Sequence, residues 1–451
     1  MAESSDGAWR ARVRSRLLAG GLLLASALIA WLAVSFTLIA RLLQAAIGLS
    51  LLYVGYLAWR GWQVMRASIR ARTEVVVGER PWITVVVPAS NEAGVVGTVV
   101  ADLVSQDYRS TDGPRFDVVV VDDGSTDGTG AVAEAAATSP GLVRVVRREP
   151  DHAPRTKGAV LAWVQPHIRG EILCVVDADA RMRPDFLSRA MDGWRRDPAA
   201  AALQVQRRAV NQASGWLAAG QDEEQLMDMA SQCGRWATDG TAELRGNGMF
   251  VRTDTLTALG GWSPDALTED LELSTRLTAH GDRVTLAPEV DIGEQAVEAI
   301  VPLWRQRMRW AEGSLRRLIE LGPGLVANRS LPFGRRLDFV LFVGEFLIPP
   351  LFVTSIVASL VTIPMPTPTD WTVPLTLFLG YGLGTYLLAL AGLAATSTHP
   401  VQLLGGSVRG ALFLSHWLLI VPAALLLIAL GPPTTHFERT PRSGEGQGLD
   451  R

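Results

Sequence analysis

Two aspartates placed two positions apart, Asp177 and Asp179, follow an apolar run that ends in the letters ILCVVD. On an extended chain alternate side chains point to the same face, so both carboxylates could share one hard cation. Mg²⁺ or Mn²⁺ prefers oxygen ligands and would complete its coordination with a pyrophosphate and water. The spacing therefore predicts a divalent metal site that holds a diphosphate. A solvated acidic turn is the competing interpretation.

Polar residues also end two other apolar runs. The segment PASNEA occupies residues 88–93, and DDGSTDGT occupies residues 122–129. Each has a structural explanation of its own, since Asn91 can cap a helix and the Asp- and Gly-rich segment can form a turn followed by a cap. Three such ends at one edge of a sheet would repel one another, and a bound cation with a hydrogen-bonding ligand would offset that repulsion.

A sheet is needed to bring these polar ends together, and the sequence between about residues 73 and 300 predicts one. Short β-branched runs alternate there with Ala-rich helical stretches. Four of the runs occupy residues 82–88, 116–122, 142–147 and 171–177. Continuous apolar runs are typical of parallel strands covered on both faces, so the pattern predicts a doubly wound α/β domain. In such a domain ligands bind outside the carboxyl ends of the strands.

The composition excludes several classes of function. A formal net charge of −3 gives no basic field for nucleic acid. Two cysteines, Cys174 and Cys233, cannot build a disulfide framework, and Cys174 lies within an apolar run as a small core residue. The sequence has no Gly-rich loop ending in Gly-Lys-Ser/Thr, which argues against a P-loop nucleotidase.

Long apolar segments flank the predicted α/β domain and indicate a membrane protein. Residues 17–40 carry no charge and are long enough to cross a hydrocarbon core of roughly 30 Å. A second apolar block at 42–59 favours a helical hairpin over a cleaved signal. Further candidate spans lie at 339–363, 371–396 and 410–430.

Basic residues predict the orientation of these spans. Arginines stand on both sides of the hairpin, namely Arg10, Arg12, Arg14 and Arg16 before it and Arg60, Arg66, Arg70 and Arg72 after it. The positive-inside rule then places both flanks, and the α/β domain that follows, on the cytosolic side of a bacterial inner membrane. The loop PMPTPTD (364–370) contains neither Lys nor Arg and is expected outside.

Two later segments complete a recognisable set of motifs. They are LTEDLELSTRLTAHG (267–281) and LWRQRMRWAEGS (303–314). Together with DDGS and DAD, they resemble the inverting glycosyltransferases of family 2, which have a GT-A fold. The resemblance is greatest to the membrane-embedded branch that includes cellulose, hyaluronan and poly-N-acetylglucosamine synthases. It runs from about residue 82 to residue 314, roughly half the chain.

The resemblance implies a role for each matching position. Residues expected around the uridine and phosphates of a UDP-sugar are Asn91, Glu92, Asp122, Asp123, Lys157 and Asp177. The metal pair would be Asp177 and Asp179, and Asp270 would be the general base that deprotonates the acceptor hydroxyl. Residues expected near the pyrophosphate and acceptor are Glu269, Asn247, Gln306, Arg307, Arg309 and Trp310.

Physical reasoning leaves alternatives for two of these motifs. Thr268, Glu269 and Asp270 also make a good helix start, because acidic residues favour the positive end of the helix dipole. Helical spacing makes neighbours of Gln306, Arg307 and Trp310, and a basic helix that bears tryptophan can equally lie on a membrane surface. The planar donor fork of arginine suits a diphosphate.

The segment ELRGNG (243–248) bears on the acceptor. Polymer synthases of this family carry an aromatic-Cys-Gly-Ser element near this point, whereas Arg245, Gly246, Asn247 and Gly248 stand here. With QRMRWAEGS and ALQVQRRAVN (202–211), the segment resembles the synthases that glucosylate diacylglycerol. The resemblance therefore favours a hexose, glucose first, transferred to a lipid. The alternatives are a processive polysaccharide synthase and, in another class, a non-catalytic nucleotide-sugar sensor or a lipid translocator.

These expectations divide the chain into five parts. A transmembrane hairpin would occupy 1–72 and the catalytic domain 73–300. Interfacial helices with the QRMRW motif would occupy 301–336, C-terminal spans 337–430 and a polar tail 431–451. Within the third span, Glu345 precedes Pro349 and Pro350. An acid inside a membrane is a functional hypothesis by default, although one near the interface can also reach water.

Overall fold

The structure is a computed structural model that describes residues 2–71, 80–149, 156–365 and 371–431, with side chains from Val13 on. Most of the loop at 364–370 and all but the first residue of the tail at 431–451, both assigned from the sequence, lie outside these ranges. The described chain forms two compact units. The sheet unit holds Met65–Leu226 and Ala242–Leu303. The helical unit holds the chain up to Val64, Met227–Thr241, and the chain from Trp304 on.

Strands and helices are numbered in chain order. The described strands are β1 Ile83–Ala89, β2 Arg109–Ser110, β3 Gly113–Pro114, β4 Phe116–Asp123, β5 Val143–Arg148, β6 Ile172–Val175, β7 Ala202–Ala209, β8 Met249–Arg252 and β9 Val284–Glu294. The helices up to the end of the sheet are α1 Ala2–Ser35, α2 Thr37–Arg70, α3 Val96–Val104, α4 Thr129–Ala136, α5 Lys157–Val164, α6 Phe186–Trp194, α7 Trp216–Ala237, α8 Thr253–Ala258 and α9 Glu269–His280. Those that follow are α10 Ile300–Ala327, α11 Phe333–Glu345, α12 Ile348–Thr362, α13 Thr372–Thr396, α14 Pro400–Leu414 and α15 Trp417–Leu430.

A seven-stranded sheet in the order β5-β4-β1-β6-β8-β7-β9 forms the centre of the sheet unit. The four strands expected from the sequence are its first four, and each pairs in parallel with its neighbour. The valines of β1, β4 and β6 are buried, and Val85, Val86 and Val87 of β1 have no exposed surface. Parallel strands need both faces covered, and α3, α4, α5 and α6 alternate with them along the chain. The prediction of an α/β doubly wound domain is confirmed.

The other half of the sheet was not expected from the sequence. β8 pairs antiparallel with both β6 and β7, and β7 pairs in parallel with β9. Because β8 runs opposite to β6, the start of β8 lies beside the end of β6, with Met249 opposite Val175. The reversal therefore brings the residues just before Met249 next to those just after Val175. That is the edge where the polar strand ends meet.

The helical unit contains the apolar segments. By length and composition, five helical stretches among the described residues could cross a membrane, namely Val13–Ser35, Thr37–Arg70, Phe333–Thr362, Thr372–Thr396 and Pro400–Leu430. The third is interrupted: α11 ends at Glu345 and α12 begins at Ile348 with Pro349 and Pro350 in its first turn. Proline lacks an amide donor, so the chain changes helix at this point.

Candidate active site

Asp177 and Asp179 lie immediately beyond β6, and their backbone does not continue the extended geometry of the strand. The amide of Val176 still donates to Val86 of β1, but the amide of Asp177 donates to the Asn247 side chain instead. The strand ladder therefore stops, and a turn closed by the Ala180 amide on the Asp177 carbonyl, at 3.0 Å, carries both aspartates. The extended geometry assumed for the pair is thus wrong, because a side chain replaces the next strand partner.

Lys157 lies against the first of these aspartates. Its Nζ donates to Asp177 Oδ1 at 2.5 Å and to the Gly246 carbonyl at 2.9 Å, and it lies 3.7 Å from Glu269 Oε1. Lys157 is the first residue of α5, whose Thr156 cap accepts from the Ala159 amide. Burial alone would lower the pKa of Lys157, but the charges of Asp177 and Glu269 outweigh it and raise the pKa. The ammonium group stays charged beside the metal pair.

Glu269 and Asp270 form the first turn of α9, so the expected helix start is present. Thr268 makes no side-chain capping bond there, whereas Asp270 Oδ1 accepts from the Leu271 amide at 2.8 Å. Burial raises the pKa of Glu269 to about 7, against the charge of Lys157. Burial also raises the pKa of Asp270, against the Leu271 hydrogen bond and Lys157. A raised pKa suits a carboxylate that must accept a proton.

The loop of Gly246, Asn247 and Gly248 separates these acids from the metal pair. Both glycines have left-handed backbone angles, with φ of 76° and 66°. A Cβ added at Gly246 would lie 3.2 Å from Asp270 Oδ2 and 3.7 Å from Lys157 Nζ. Gly246 therefore packs closely against Asp270, and any side chain at this position would press on Asp270 and approach Lys157. At Gly248 a Cβ would meet Val205 and Ile292, so the second glycine permits close packing of the loop on the sheet.

Asn247 lies behind the metal pair. The residue is only 1% exposed, and both ends of its amide are engaged. Asn247 Oδ1 accepts from the Asp177 amide at 3.1 Å, and Nδ2 donates to Glu294 Oε2 at 3.3 Å. Burial and these bonds give Asn247 a supporting position under Asp177.

The end of β1 joins the segment after β4 through a set of short hydrogen bonds. Asn91, at a φ of 55°, accepts from the Thr126 amide at 2.9 Å and donates its own amide to Ser125 Oγ at 2.9 Å. The Glu92 amide donates to Thr129 Oγ1 at 2.8 Å, and Glu92 is 9% exposed. The segment after β4 also forms the expected turn, with the Ser125 amide on Asp122 Oδ1, and Asp127 Oδ1 accepts from the Thr129 amide at the start of α4. The two segments predicted to bind the nucleotide are therefore joined to each other by hydrogen bonds.

Asp122 and Asp123 end β4 and face arginines of β5. Register pairs Asp122 with Arg147 and Asp123 with Arg148. Asp122, 2% exposed, accepts from Arg147 at 3.1 Å and from the Ser125 amide at 3.0 Å. Asp123 Oδ1 accepts from Arg148 at 2.6 Å. The charge of each carboxylate is therefore balanced by a neighbouring strand.

The residues present fit a divalent cation at Asp177 and Asp179. They supply hard oxygen donors, and part of the Asp177 side chain, 38%, is exposed. Burial, and then the charges of Asp177 and Asp179, raise the pKa of Glu294, although Arg207 opposes them. That surplus of negative charge is what a cation would offset. Among the described residues, no group of three or more His, Cys, Asp or Glu is placed to hold a metal ion.

Gln306, Arg307, Arg309 and Trp310 all lie on α10, within the helical unit. Arg307 is 2% exposed, and its guanidinium carbon lies 4.2 Å from the centre of the Trp310 ring and 5.9 Å from that of Trp417. The three-residue helical spacing thus stacks the arginine on a tryptophan. Their expected role near the pyrophosphate and acceptor stays a prediction.

Sequence reasoning missed a group of residues that supports the site. Glu294, at the end of β9, contacts Asn247 and lies 3.6 Å from Arg207, and Gln225 also donates to it. The amide of Gln295, the next residue, donates to Asp179 Oδ2 at 3.4 Å. Glu294 is the last residue of the run VTLAPEVDIGE (284–294). A polar residue at the end of a further predicted strand is the sequence signal that would have pointed to Glu294.

The sequence matches a known protein family. Residues 80–313, just over half of the 451, match the family described as "Glycosyltransferase like family 2". This segment contains every described strand and the site built above.

Individual relatives extend the similarity beyond that segment. The chain is 31% identical over 399 residues to a "Beta-monoglucosyldiacylglycerol synthase" of Synechocystis sp., which covers 86% of this chain and 81% of that protein. A synthase of the same description from Nostoc sp. is 28% identical over 389 residues, 85% of this chain and 81% of that one. Among solved structures, the mannosyltransferase PcManGT from Pyrobaculum calidifontis, in complex with GDP-Man and Mn²⁺, aligns with a TM-score of 0.54 and 21% identity. It covers 85% of this chain and 99% of that one.

Proposed function

The chain belongs to glycosyltransferase family 2, and from that premise we propose that it transfers glucose from UDP-glucose to diacylglycerol with inversion at the anomeric carbon. The observation that carries the proposal is the convergence of Asp270, Lys157 and Asp177 at the Gly246 loop. Lys157 donates to Asp177 and to the Gly246 carbonyl, and a Cβ at Gly246 would lie 3.2 Å from Asp270 Oδ2 and 3.7 Å from Lys157 Nζ. The proposed base and the proposed diphosphate site therefore lie next to each other.

We place the donor along the polar strand ends. Asn91, Glu92 and Asp123 would contribute to the uridine pocket, and Asp122, whose carboxylate is already engaged, would shape that pocket from behind. Asp177 and Asp179 would hold Mg²⁺ or Mn²⁺. When bound, the ion supplies positive charge that stabilises the diphosphate leaving group.

Lys157 balances negative charge in the free site. Its ammonium group bonds to Asp177 and lies near Glu269, and it remains charged because the acids around it raise its pKa. In the donor complex the same group is placed to interact with phosphate oxygens, since lysine acts there as a mobile point charge. Glu269 would hold Lys157 from the side opposite Asp177.

Asp270 would act as the general base. Its Oδ1 accepts from the Leu271 amide, and its Oδ2 is the oxygen that lies nearer to Gly246. In the transfer step the acceptor hydroxyl gives its proton to Asp270 Oδ2 while its oxygen forms the bond to the anomeric carbon. The bond from that carbon to the phosphate oxygen breaks, and the electron pair leaves with UDP. Attack from the face opposite the leaving group inverts the anomeric centre.

The acceptor assignment rests on two supports. The relatives described as β-monoglucosyldiacylglycerol synthases match the chain over most of its length, including segments beyond the sheet unit. The described residues also include five stretches that could cross a membrane. A lipid acceptor in the same bilayer is consistent with both.

We further propose a bacterial inner-membrane location with the sheet unit in the cytosol. The arginines on both flanks of the first two spans favour that orientation. UDP-sugars are cytosolic, so the donor site would face its substrate. The division of the chain at residues 72, 300, 336 and 430 stays a prediction on the same footing.

The test is a transfer assay in lipid vesicles. Purified protein is reconstituted with diacylglycerol and incubated with radiolabelled UDP-glucose and Mg²⁺. We expect a labelled product in the organic phase, of the mass of a monoglucosyl lipid and with a β-anomeric NMR coupling. A water-soluble or insoluble labelled polymer would instead identify a polysaccharide synthase and overturn the proposal, as would an α-anomer.

Asp270→Asn provides the matched variant for this assay. We expect transfer to fall by about 10²–10⁴-fold, because proton removal by a positioned base contributes that range. Binding of UDP should be retained. If cells that depend on the protein grow equally well with Asp270→Asn, the protein acts as a nucleotide-sugar sensor or translocator rather than as a transferase.

A further inference from the structure

Glu294 occupies a partly buried position at which three side chains converge. It receives a hydrogen bond from Asn247 Nδ2 at 3.3 Å, another from Gln225, and it lies 3.6 Å from an Arg207 nitrogen. These partners come from the loop before β8, from α7 and from β7. A carboxylate with this many donors is held in one orientation.

The polarity of the Asn247 amide depends on this carboxylate. Asn247 must present its oxygen to the Asp177 amide, since that group is a donor. If the side-chain amide were flipped, NH₂ would face the N–H of Asp177 and the carbonyl oxygen would face Glu294. Both contacts would then be unfavourable. Glu294, as an acceptor only, selects the orientation in which Asn247 supports Asp177.

We propose that Glu294 is a positioning residue for the metal pair: through the Asn247 amide it fixes the turn that carries Asp177 and Asp179. The inference rests on the proposed function, because it assumes that this turn binds the diphosphate-bound cation. No contact between Glu294 and the ion is needed, so Glu294 is not itself a ligand.

A second contact from the same strand end supports the assignment. The amide of Gln295, next to Glu294, donates to Asp179 Oδ2 at 3.4 Å. The end of β9 therefore reaches one aspartate through Asn247 and the other directly. Outer groups of this kind orient metal ligands, and their loss typically costs 10–100-fold in metal affinity or activity.

The experiment measures Mn²⁺ binding to the full-length protein in detergent with saturating UDP and no acceptor, by the electron paramagnetic resonance signal of free Mn²⁺. For Glu294→Ala we expect the dissociation constant of Mn²⁺ to rise by about 10-fold or more. Glu294→Gln keeps an acceptor for Asn247, and Gln225 Oε1, which has no hydrogen-bond partner, can turn to receive the new amide. We expect its dissociation constant to stay within about 3-fold of wild type.

If Glu294→Ala does not fold, a double variant that exchanges the hydrogen-bond donor and acceptor between residues 247 and 294 still tests the proposal. The double variant Asn247→Asp with Glu294→Gln preserves the total charge and both hydrogen bonds, with donor and acceptor exchanged between the two side chains. We expect the double variant to bind Mn²⁺ within about 3-fold of wild type. A loss as large as that expected for Glu294→Ala would overturn the proposal.

Glu289→Gln is the matched control. Glu289 lies on the same strand and pairs with Arg196, away from the metal pair. Its change can lower the melting temperature but should leave Mn²⁺ binding unaltered. If Glu294→Ala binds Mn²⁺ as wild type does, or if Glu294→Gln loses as much affinity as Glu294→Ala, the positioning role is wrong. If the wild type itself binds no Mn²⁺ with UDP, it is the proposed function that fails.

Discussion

β4 and β6 both lie next to the central strand β1. One pair of aspartates ends β4 and another follows β6, but the two pairs have different charged neighbours. Asp122 and Asp123 face Arg147 and Arg148 of β5, one arginine for each carboxylate. Asp177 and Asp179 follow a strand whose neighbours at this edge are β1 and the glycine loop before β8. The carboxylates beyond β4 are neutralised within the fold, whereas those beyond β6 keep a charge surplus that Lys157 balances only in part.

This difference shows that the neighbouring strand decides whether an acidic strand end has a structural role or can form a functional site. A cross-strand arginine holds an aspartate in place and stabilises the sheet. Beyond β6, the Gly-Asn-Gly loop instead supports the Asp177 amide through Asn247, and Lys157 of α5 pairs with the Asp177 carboxylate. The comparison therefore predicts that changes beyond β6 impair chemistry and changes beyond β4 impair stability.

Of the changes at these two strand ends, Asp179→Asn should have the largest effect on transfer. We expect the rate to fall by about 10²–10³-fold, since the metal contributes several kcal/mol of charge stabilisation to the transition state. The melting temperature should be unchanged or slightly higher, because one of the neighbouring negative charges that act on Glu294 is removed. Transfer rates and thermal melts of the same preparation check both halves. A lower melting temperature with near-normal transfer would remove the distinction between the two strand ends.

Gly246→Ala tests the close contact between the glycine loop and Asp270. The added Cβ would lie 3.2 Å from Asp270 Oδ2, so Asp270 or the loop must shift, and we predict about a 10²-fold loss of kcat from displacement of the proposed base. Gly141→Ala is the matched control, because Gly141 has a similar left-handed φ of 77° but open space around it. Both variants should lose about 1–2 kcal/mol of stability from the backbone alone. Equal transfer rates for the two would mean that the position of Asp270 does not depend on Gly246.

The sequence predicts the first half of this sheet well because each strand there is a continuous apolar run between helices. The second half escaped prediction, since β8 is only four residues long and its antiparallel direction depends on partners far away in the chain. Within the site, the types of Asp177, Asp179 and Asp270 are visible in the sequence. The support of Asn247 by Glu294 is not, because it depends on a register between distant strands.

The same limit applies to Asp122. In the sequence, the motifs DDGS and DADA look equally suited to a functional site. Only the pairing of β4 with β5 shows that arginines face the aspartates of the first motif. Similarly, the glycines at 246 and 248 look like a flexible loop in the sequence. Their left-handed angles and close contacts show a tightly packed turn instead.

Asp122→Asn should act on stability rather than on chemistry. It removes the charge that faces Arg147 but keeps an acceptor for the Ser125 amide, and we expect a loss of about 2 kcal/mol, or about 4–8 °C in melting temperature. Transfer should fall by less than about 10-fold. Asp117→Asn, at the other end of β4 and paired with Arg144, is the control. If Asp122→Asn alone abolishes transfer while the melt is normal, the β4 pair belongs to the chemistry after all.

Glu269 gives the smallest expected effect, visible as a dependence on pH. Burial raises its pKa to about 7 from an ordinary value of 4.5, so between these values the folded protein holds a proton that the unfolded chain has released. The contribution of Glu269 to stability is therefore present below about pH 4.5 and is lost as the pH rises through about 7. We therefore expect the melting temperature of the wild type, relative to that of Glu269→Gln, to fall from about pH 5 to about pH 8.

Thermal melts of both proteins without metal or nucleotide, at matched ionic strength, measure this difference. Glu272→Gln, which removes a carboxyl group paired with Arg276 on the same helix, gives the effect of a charge change outside the site. A wild-type protein that gains stability relative to Glu269→Gln over the same range would show that Glu269 is held as an anion by Lys157. In that case the free site beyond β6 would be internally neutralised, as the pair beyond β4 is, and the contrast between the two strand ends would arise only on binding the donor.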